Sequence, residues 1–308
     1  MPESDSLPGI IVRAQSGFFT VMTSEGGVVA QLRGRLKRPR RLTDVAALGD
    51  RVRVTRLDDG SGVIETIEER SRVLSRRAAL PWRGSQRDIE QVIVANPDQA
   101  VFVFACADPD PNFRMLDRFL VVAESQSLPA VICANKLDLV VARDARREFG
   151  EYAGLGYPVV YTSAKTGKGV DALREVLTGR LSVLAGPSGV GKSSLLNRVQ
   201  PGLGLATREV QQATGKGKHM TVVPELIPLQ GGGYVADTPG LKALDLWDIE
   251  PSELDAYFPE IRPLVAECAY SDCSHLHEPG CAVLAAVAAG RISPERYDSY
   301  CRIRLGRD

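Results

Sequence analysis

GPSGVGKS, residues 186–193, fits the pattern G-x-x-x-x-G-K-[ST] of a phosphate-binding loop. It follows the apolar run LSVLAG and opens the helical pattern GKSSLLNRV, so it has the strand–loop–helix context that the pattern requires. Glycines let backbone N–H groups curl around phosphate oxygens, and the start of a helix adds its positive dipole end. We expect Lys192 to neutralise the β- and γ-phosphates and Ser193 to bind Mg²⁺. The predicted nucleotide contacts are Gly186, Pro187, Ser188, Gly189, Val190, Gly191, Lys192, Ser193 and Ser194.

A second phosphate motif lies farther along the chain, in GGYVADTPGL. Its DTPG tetrapeptide, residues 237–240, follows a predicted buried strand. Asp237 is expected to supply the carboxylate on the magnesium side. Gly240 is expected to offer a backbone N–H to the γ-phosphate, so that loss of this phosphate releases the loop.

A candidate base-reading motif ends the apolar run LPAVICANKLDL, as Asn135-Lys136-Leu137-Asp138. An Asn-Lys-x-Asp tetrapeptide after a buried strand is how GTPases read guanine. Asp138 would accept hydrogen bonds from the N1–H and the exocyclic amine of guanine, a donor pair that adenine lacks. Asn135 would join neighbouring loops, and the stem of Lys136 would cover the base plane.

A second base loop follows the next predicted strand, in YPVVYTSAKTGKG, and supplies Ser163, Ala164 and Lys165. In an ordinary GTPase both base loops come after the phosphate loop, whereas here they precede it. Two base motifs in their normal relative order, each at the end of a strand, rarely arise by chance. The sequence therefore predicts a circularly permuted GTPase domain that binds GTP and GDP.

Composition and periodicity divide the 308 residues into three regions. Hydrophobic residues make up 44% and charged residues 25%, which is typical of a globular protein, and the formal net charge is zero. We predict an all-β domain at 1–75, an α/β domain at 90–245 with helices on both faces of a parallel sheet, and a mainly helical domain at 246–308. The sequence shows no membrane-length apolar run and no signal peptide, so we expect a cytoplasmic protein without membrane contacts.

The first region contains short alternating stretches such as GFFTVMT, GDRVRVTRL and SGVIETIEE. Gly- and Asp-rich turns separate them, which predicts a small antiparallel barrel or sandwich. A basic stretch, RGRLKRPRR at residues 33–41, is expected to be a loop or strand edge that contacts nucleic acid or is simply solvated. Its basic residues are Arg33, Arg35, Lys37, Arg38, Arg40 and Arg41.

Cysteines and histidines cluster in ECAYSDCSHLHEPGCAV. Three thiolates and one imidazole fit a closed, structural Zn²⁺ site with one ion per chain, formed by Cys268, Cys273, His275 and Cys281. The alternative is a set of buried free thiols with surface histidines, and His277 is a second possible ligand. We expect the other three cysteines, Cys106 and Cys133 in core strands and Cys301 in a last helix, to serve packing.

Together these features resemble the RsgA (YjeQ) family of small-subunit-dependent GTPases. The resemblance covers the barrel-like N-terminal region, the permuted centre and the Cys/His-bearing C-terminal region. It implies an OB-fold N-terminal domain and a GTP hydrolase that binds the small ribosomal subunit and its rRNA late in subunit maturation. The family pattern also uses the first histidine of the cluster, His275, as the zinc ligand. We expect a monomer.

Hydrolysis needs a group that orients the attacking water. Many GTPases carry Gln directly after Asp-x-x-Gly, but Leu241 stands there. The family carries a Gly-x-His-Thr-Thr type motif after the phosphate loop, where this chain reads GKHMT, residues 217–221. The resemblance implies that His219 is catalytic, and the alternative is a loop histidine that touches RNA or solvent. Met220 replaces one threonine, which leaves Thr221 as the candidate magnesium ligand beside Ser193.

Two other function classes compete with this interpretation. One is an RNA-binding regulatory protein that uses GTP occupancy as a switch and turns GTP over only incidentally. The other is an ATP-dependent kinase or transport ATPase with the same phosphate loop, which Asp138 and the second base loop argue against.

Overall fold

The computed structural model describes residues 6–37, 45–77, 90–205, 225–237 and 249–307. Six residues with predicted roles lie outside these ranges: Arg38, Arg40, Arg41, His219, Thr221 and Gly240. For Arg35, Lys37 and Asp237 the backbone alone is described. No helix in the described ranges is long and apolar enough to span a bilayer.

A five-stranded barrel forms the N-terminal region. Its strands are β1 (Ser6–Gln15), β2 (Phe18–Thr23), β3 (Gly26–Leu32), β4 (Arg51–Arg56) and β5 (Gly62–Ile67). They pair in the order β1-β2-β3-β5-β4, and β4 closes the ring against β1. The predicted barrel is confirmed, but it is not wholly antiparallel, because β3 and β5 run parallel. A closed ring with an odd number of strands needs at least one parallel pair.

Alternation along the strands places one set of side chains inside the barrel. Val21 of β2, Val52 and Val54 of β4, and Ile64 of β5 have no solvent exposure. Gly62 lets β5 approach its neighbours, since a Cβ there would lie 2.7 Å from a methyl carbon of Val28. After β3, part of the basic stretch forms a short 3-10 helix, Gly34–Lys37, rather than a loop or strand edge.

A hairpin follows the barrel as a separate two-stranded sheet, β6 (Val73–Arg77) and β7 (Glu90–Ala95). Gly49 of the barrel, with φ of 83°, lies against the end of β7, where a Cβ would lie 2.1 Å from the carbonyl oxygen of Ala95. The Ala95 N–H donates to the carbonyl oxygen of Leu48 at 2.7 Å. The sequence did not predict this hairpin, which is hydrogen-bonded to the barrel.

Strands and helices alternate in the central region. Its elements are β8 (Gln99–Ala105), α1 (Phe113–Ser125), β9 (Ala130–Asn135), α2 (Ala142–Gly154), β10 (Val159–Tyr161), α3 (Val170–Leu177), β11 (Leu181–Ala185), α4 (Lys192–Val199), β12 (Glu225–Pro228) and β13 (Tyr234–Asp237). Strands β10-β9-β8-β11-β13 lie in this order and run parallel, and β12 pairs antiparallel with β13.

Helices cover both faces of this sheet, as predicted. Phe102 on one face of β8 packs in the same cluster as Leu116 of α1 and Phe149 of α2. Val103, the next residue, packs in a second cluster with Leu173 of α3 and with α4. Successive side chains of a strand point to opposite faces, so a strand that is buried on both sides reads as a continuous apolar run.

One strand pairing joins the barrel to the central sheet. Glu225, the first residue of β12, lies in register with Arg13 of β1 and, on its other side, with Asp237 of β13. The result is a continuous eleven-stranded sheet. No local pattern indicated this connection, because β12 has only four residues and pairs with a strand that is distant along the chain.

The C-terminal region is mainly helical, as predicted, although two of its described helices are 3-10 helices. These are Pro251–Tyr257 and Arg262–Glu267, and they precede α5 (Ala282–Ala288) and α6 (Pro294–Arg304). Ser293 caps α6 by accepting a hydrogen bond from the Arg296 N–H at 3.2 Å, and Pro294 occupies the first helical position, where its missing N–H costs nothing.

A buried ion-pair network fastens this C-terminal region to the central domain. The Arg296 guanidinium of α6 lies 2.6 Å from the carboxylate of Asp117 in α1 and 2.7 Å from that of Glu260. Asp117 also accepts a hydrogen bond from the Tyr152 hydroxyl of α2 at 2.8 Å. The ring of Phe258 lies beneath the guanidinium at 4.7 Å. The two regions are therefore joined by charges that have been removed from water.

Candidate functional site

The phosphate loop, residues 186–193, connects β11 to α4. A Cβ at Gly186 would lie 2.1 Å from the carbonyl oxygen of Val103, so only glycine fits against β8 there. Gly189 and Gly191 have φ of 86° and 93°, in the left-handed region that glycine adopts without strain. The other predicted contacts lie in the same loop: Pro187 and Ser188 at its start, and the buried Val190.

Lys192 is the first residue of α4, and its side chain returns to the loop. Its ammonium lies 2.7 Å from the carbonyl oxygen of Gly186 and 2.8 Å from that of Pro187. A cation at this position can neutralise phosphate oxygens held by the loop. Ser193 and Ser194 follow in the first turn of α4, both half-buried, where a hydroxyl can bind a magnesium ion.

The base loop begins at Asn135, the last residue of β9. Lys136 has φ of 60°, and residues Leu137–Leu139 then form a single 3-10 turn. The turn is fixed by the buried Leu137, whose N–H donates to the carbonyl oxygen of Thr162 at 3.0 Å. Asp138, the middle residue of this turn, is exposed just beyond the end of β9.

Asn135 joins three of the predicted nucleotide-binding loops: its own base loop, the phosphate loop and the second base loop. Its side-chain Nδ2 donates to the carbonyl oxygen of Val190 in the phosphate loop at 2.7 Å. Its Oδ1 accepts hydrogen bonds from the hydroxyl of Thr162, directly before the second base loop, at 3.1 Å and from the Ala164 N–H within that loop at 3.2 Å. The side chain is 1% exposed, so these bonds replace those that water would otherwise provide. The loops therefore belong to one site, although their order along the chain is permuted.

The second base loop holds the Asp138 carboxylate in place. The buried Ser163 hydroxyl donates to Asp138 Oδ1 at 2.5 Å and accepts the Thr166 N–H at 3.1 Å. One carboxylate oxygen is thus oriented by the protein, while the side chain remains open to a ligand. Ala164 is half-buried beside it, and Lys165 is exposed.

The predicted magnesium ligand Asp237 lies at the same edge of the sheet. Asp237 ends β13 and lies in register with Leu184 of β11, one residue before that strand ends at the phosphate loop. Because parallel strands end at one edge, Asp237 and the phosphate loop are brought together. The other predicted groups on this side, His219, Thr221 and Gly240, lie outside the described residues.

The structure also brings the four predicted metal ligands together. The ligand atoms of Cys268, Cys273, His275 and Cys281 all lie within 4.8 Å of one another. His275 Nδ1 lies 3.5 Å from Cys268 Sγ and 3.4 Å from Cys281 Sγ, and the two sulfurs are 4.0 Å apart. A tetrahedral Zn²⁺ separates its sulfur and nitrogen ligands by roughly 3.5–3.8 Å. The donor set and its spacing therefore fit a closed zinc site.

Neighbouring residues orient this cluster. His275 Nε2 lies 3.3 Å from Asp255 Oδ2, so the ring can donate its other proton to a carboxylate, a common arrangement around metal-binding histidines. The Tyr297 hydroxyl donates to the His275 carbonyl oxygen at 2.8 Å. Burial raises the pKa of the Cys273 thiol to about 12, and a bound cation reverses this preference by favouring the thiolate. His277 is exposed, whereas His275 is fully buried.

The remaining cysteines have the environment of packing residues. Cys133 lies in β9, and Cys106 directly follows β8 rather than lying within it. Burial raises the pKa of Cys133 to about 12 and that of Cys106 to about 11, so both thiols stay protonated and unreactive. Cys301 is half-buried in α6, and burial raises its pKa as well.

Known protein families match this arrangement over most of the chain. A family model described as RsgA GTPase matches residues 67–247, and one described as RsgA N-terminal domain matches residues 8–64. The chain belongs to the RsgA family. Two relatives named small ribosomal subunit biogenesis GTPase RsgA, from Gemmatimonas aurantiaca and Moorella thermoacetica, are 46% and 44% identical. The first alignment covers 97% of both chains, and the second covers 96% of this chain and 95% of the relative.

Two solved structures with the RsgA-family fold resemble this one over nearly their whole length. The crystal structure of YjeQ from Thermotoga maritima has a TM-score of 0.79 at 39% identity and covers 98% of each chain. YloQ, described as a circularly permuted GTPase, has a TM-score of 0.76 at 31% identity, covering 100% of this chain and 97% of YloQ. The RsgA-family fold therefore includes the barrel, the permuted centre and the C-terminal helical region.

Several residues that shape the site in this RsgA-family chain were missed from the sequence. Thr162 supports Asn135, and the sole sequence signal was its position directly before the second base loop. The ammonium of Lys136 contacts the carbonyl oxygen of Asp108 and lies 3.7 Å from its carboxylate. Asp255 orients His275 from twenty residues upstream. Thr162, Asp108 and Asp255 belong to no recognisable motif, because each acts through a contact between distant segments.

Proposed function

We propose that this protein is a small ribosomal subunit biogenesis GTPase, which binds GTP in one composite site and hydrolyses it during late maturation of the subunit. The observation that carries the proposal is the Asn135 side chain, which bonds to the phosphate loop and to the second base loop at once. The whole-length similarity to relatives named for this activity supports it.

Guanine is recognised by the two base loops. Asp138 accepts hydrogen bonds from the N1–H and the exocyclic amine, and Ser163 holds the carboxylate for this role. Lys136 and Leu137 shape the loop that flanks the base, and the second loop, Ser163 to Lys165, offers a backbone N–H to the guanine oxygen. An adenine base would leave the carboxylate without its two hydrogen-bond donors. Each unpaired group costs about 1–3 kcal/mol, so ATP should bind more than tenfold more weakly than GTP.

The triphosphate is held by the phosphate loop from Gly186 to Ser194. Mg²⁺, which neutralises charge on the phosphates when bound, is held by Ser193, Asp237 and Thr221. Gly240 contacts the γ-phosphate through its backbone N–H. His219 orients or deprotonates the attacking water, a role that Leu241 cannot fill because its side chain is apolar.

The two flanking domains dock the enzyme on rRNA. We assign the domains to residues 1–75, 90–245 and 246–308, with one structural Zn²⁺ in the last, held by the cluster of three cysteines and His275. The basic stretch at residues 33–41 supplies phosphate contacts. In this stretch Arg33 also forms an ion pair with Glu65 on the neighbouring strand, so it contributes less free positive charge than the sequence suggested. The protein acts as a monomer in the cytoplasm.

The proposal is tested by measuring GTP turnover while purified small or large ribosomal subunits are titrated in. Small subunits are expected to raise turnover and large subunits to leave it unchanged. Equal stimulation by both, or none by either, would overturn the proposed function.

Two variants separate docking from chemistry in the same assay. Replacing the six basic residues of 33–41 with Gln should reduce stimulation at fixed subunit concentration, with recovery at saturation and a flatter salt dependence of docking. His219→Ala should dock on the small subunit with the wild-type salt dependence. Its GTP turnover should stay low even at saturating subunit concentration. If the Gln variant keeps the wild-type salt dependence, the stretch is a solvated edge and phosphate contact lies elsewhere.

A further inference from the structure

The loop between β8 and α1, residues 106–112, lies at the nucleotide edge of the sheet, although it contains none of the predicted nucleotide motifs. In the sheet, β8 lies between β9, which leads to the base loop, and β11, which leads to the phosphate loop. Because parallel strands end at one edge, the loop that follows β8 stands between the other two. Its first residue, Cys106, donates its N–H to the Asn135 carbonyl oxygen at 2.8 Å. We call residues 106–112 the β8–α1 loop.

Asp108 of the β8–α1 loop holds the ammonium group of Lys136. The ammonium donates a hydrogen bond to the Asp108 carbonyl oxygen and lies 3.7 Å from the Asp108 carboxylate. The Lys136 side chain is 24% exposed, so the protein covers most of its length, whereas the Asp108 side chain is 91% exposed. Both residues have positive φ, 60° at Lys136 and 47° at Asp108, which few residues other than glycine adopt. Residues in such conformations concentrate at functional sites, where the surrounding contacts hold them.

Protein contacts hold every residue of the base-loop tetrapeptide. Asn135 is bonded to the phosphate loop, while Leu137 and Asp138 are bonded to residues 162 and 163. Lys136 differs, because its side chain is held from the β8–α1 loop. A lysine side chain is long and flexible, and ordering a free one during binding lowers affinity. A lysine that the protein already orients avoids this loss.

We propose that Asp108 is a positioning residue of the nucleotide site, which orients Lys136 along the guanine base and thereby slows the release of GTP and GDP. Asp108 contacts Lys136 rather than the nucleotide, so it acts through that side chain. Its exposed carboxylate adds an attraction that salt screens, as in other ion pairs near a protein surface. The proposal rests on the proposed function in one respect, that GTP and GDP are the ligands of this site. It adds the β8–α1 loop to the loops that build the site.

The test measures GDP release from the full chain without ribosomal subunits. Radiolabelled GDP is bound, excess unlabelled GDP is added, and the remaining bound label is followed with time. Calorimetry gives the Kd values for GTP and GDP. Asp108→Asn removes the charge and keeps a residue type that tolerates positive φ. This variant should release GDP about three- to fivefold faster and raise both Kd values by the same factor, which is the scale of one exposed ion pair.

A double-mutant cycle with Lys136→Met separates positioning from a structural role. Methionine keeps an unbranched side chain and removes the ammonium. In that background Asp108→Asn should cause no further acceleration of GDP release, because its partner is already gone. A purely structural effect on the loop would persist there. The acceleration by Asp108→Asn alone should also shrink as ionic strength rises, since salt screens the pair in the wild type.

Asp110→Asn is the matched control. Asp110 is a second exposed carboxylate of the β8–α1 loop, two residues beyond Asp108. Its replacement makes the same change of net charge in the same loop, and GDP release should keep the wild-type rate. Urea denaturation should give the same midpoint for Asp108→Asn as for the wild type, because surface substitutions of this kind have little effect on stability.

Three results would overturn the proposal. One is a wild-type rate of GDP release in Asp108→Asn. Another is equal acceleration by Asp108→Asn in the wild-type and Lys136→Met backgrounds. The third is equal acceleration by Asp110→Asn, which would assign the effect to the net charge of the loop. Failure of small subunits to stimulate turnover would instead overturn the proposed function, while GDP release would still decide the role of Asp108.

Discussion

Asn135 Nδ2 lies 2.7 Å from the carbonyl oxygen of Val190, although the two residues are 55 positions apart in the chain. The contact is possible because β9 and β11 flank β8 and end at the same edge of the sheet. Moving the chain's starting point changes the order of the loops but not their positions at that edge. The same residue types can therefore build a guanine-nucleotide site in permuted order.

The contact between Asn135 and the phosphate loop depends on Gly191. A Cβ at this residue would lie 2.6 Å from Asn135 Nδ2, and its φ of 93° disfavours any side chain. Gly191→Ala should therefore lower the free energy of unfolding by about 2 kcal/mol and weaken GTP binding about tenfold or more. Urea denaturation and calorimetry measure the two effects.

The matched control is Gly202→Ala. Gly202 also has a positive φ, of 97°, but no atom lies near the position of a Cβ, so this variant should retain GTP affinity. Wild-type GTP affinity in Gly191→Ala would contradict the proposed loop contact.

The buried Asp117–Arg296 pair should dominate the attachment of the C-terminal region. Asp117→Ala leaves the guanidinium buried without one of its two carboxylates, which costs about 3–5 kcal/mol. The matched control is Asp298→Ala, because Asp298 pairs with Arg114 between the same two helices at 3.2 Å but is exposed. Its loss should cost less than about 1 kcal/mol. If urea denaturation shows the same loss of unfolding free energy for both variants, the buried pair does not dominate the attachment of the C-terminal region.

The cysteine cluster should hold one zinc ion per chain. Cys273→Ser removes one thiolate, so we expect loss of the metal and loosening of the C-terminal region, since structural zinc contributes folding free energy. GTP binding should largely persist, because the nucleotide loops lie in another domain. Cys301→Ser, which changes a half-buried thiol outside the cluster, should retain the zinc. Metal analysis that finds no zinc in wild-type protein would rule out this site.

The parts of the site that the sequence predicted are those encoded by short local motifs. Each of these motifs is a short residue pattern next to a strand or helix that the local sequence also predicts. They are the phosphate loop, the two base loops and the metal ligands. Asn135 and Ser163 could be assigned to their loops, but the bonds they form depend on strand order, which local patterns do not contain.

The features that were missed arise from contacts between distant segments. Arg296 and Asp117 are 179 positions apart, and the one local signal was a carboxylate on the apolar side of α1, beside Leu116. The pairing of Glu225 with Arg13 has no local signal, because β12 has only four residues. The parallel β3–β5 pair follows from closing five strands into a ring, which periodicity within each strand cannot show.

The most direct test of the central claim measures the base preference of Asp138→Asn. The claim is that Asp138, held by Ser163, reads guanine for a phosphate loop that comes later in the chain. Asparagine presents a donor where the carboxylate accepted a bond, so GTP affinity should fall by about tenfold to a hundredfold while XTP affinity rises relative to it. Asp144→Asn, a change of a nearby carboxylate on α2, should keep the wild-type preference for GTP. Unchanged GTP affinity of Asp138→Asn by calorimetry would contradict the account, because it would remove Asp138 from the base site.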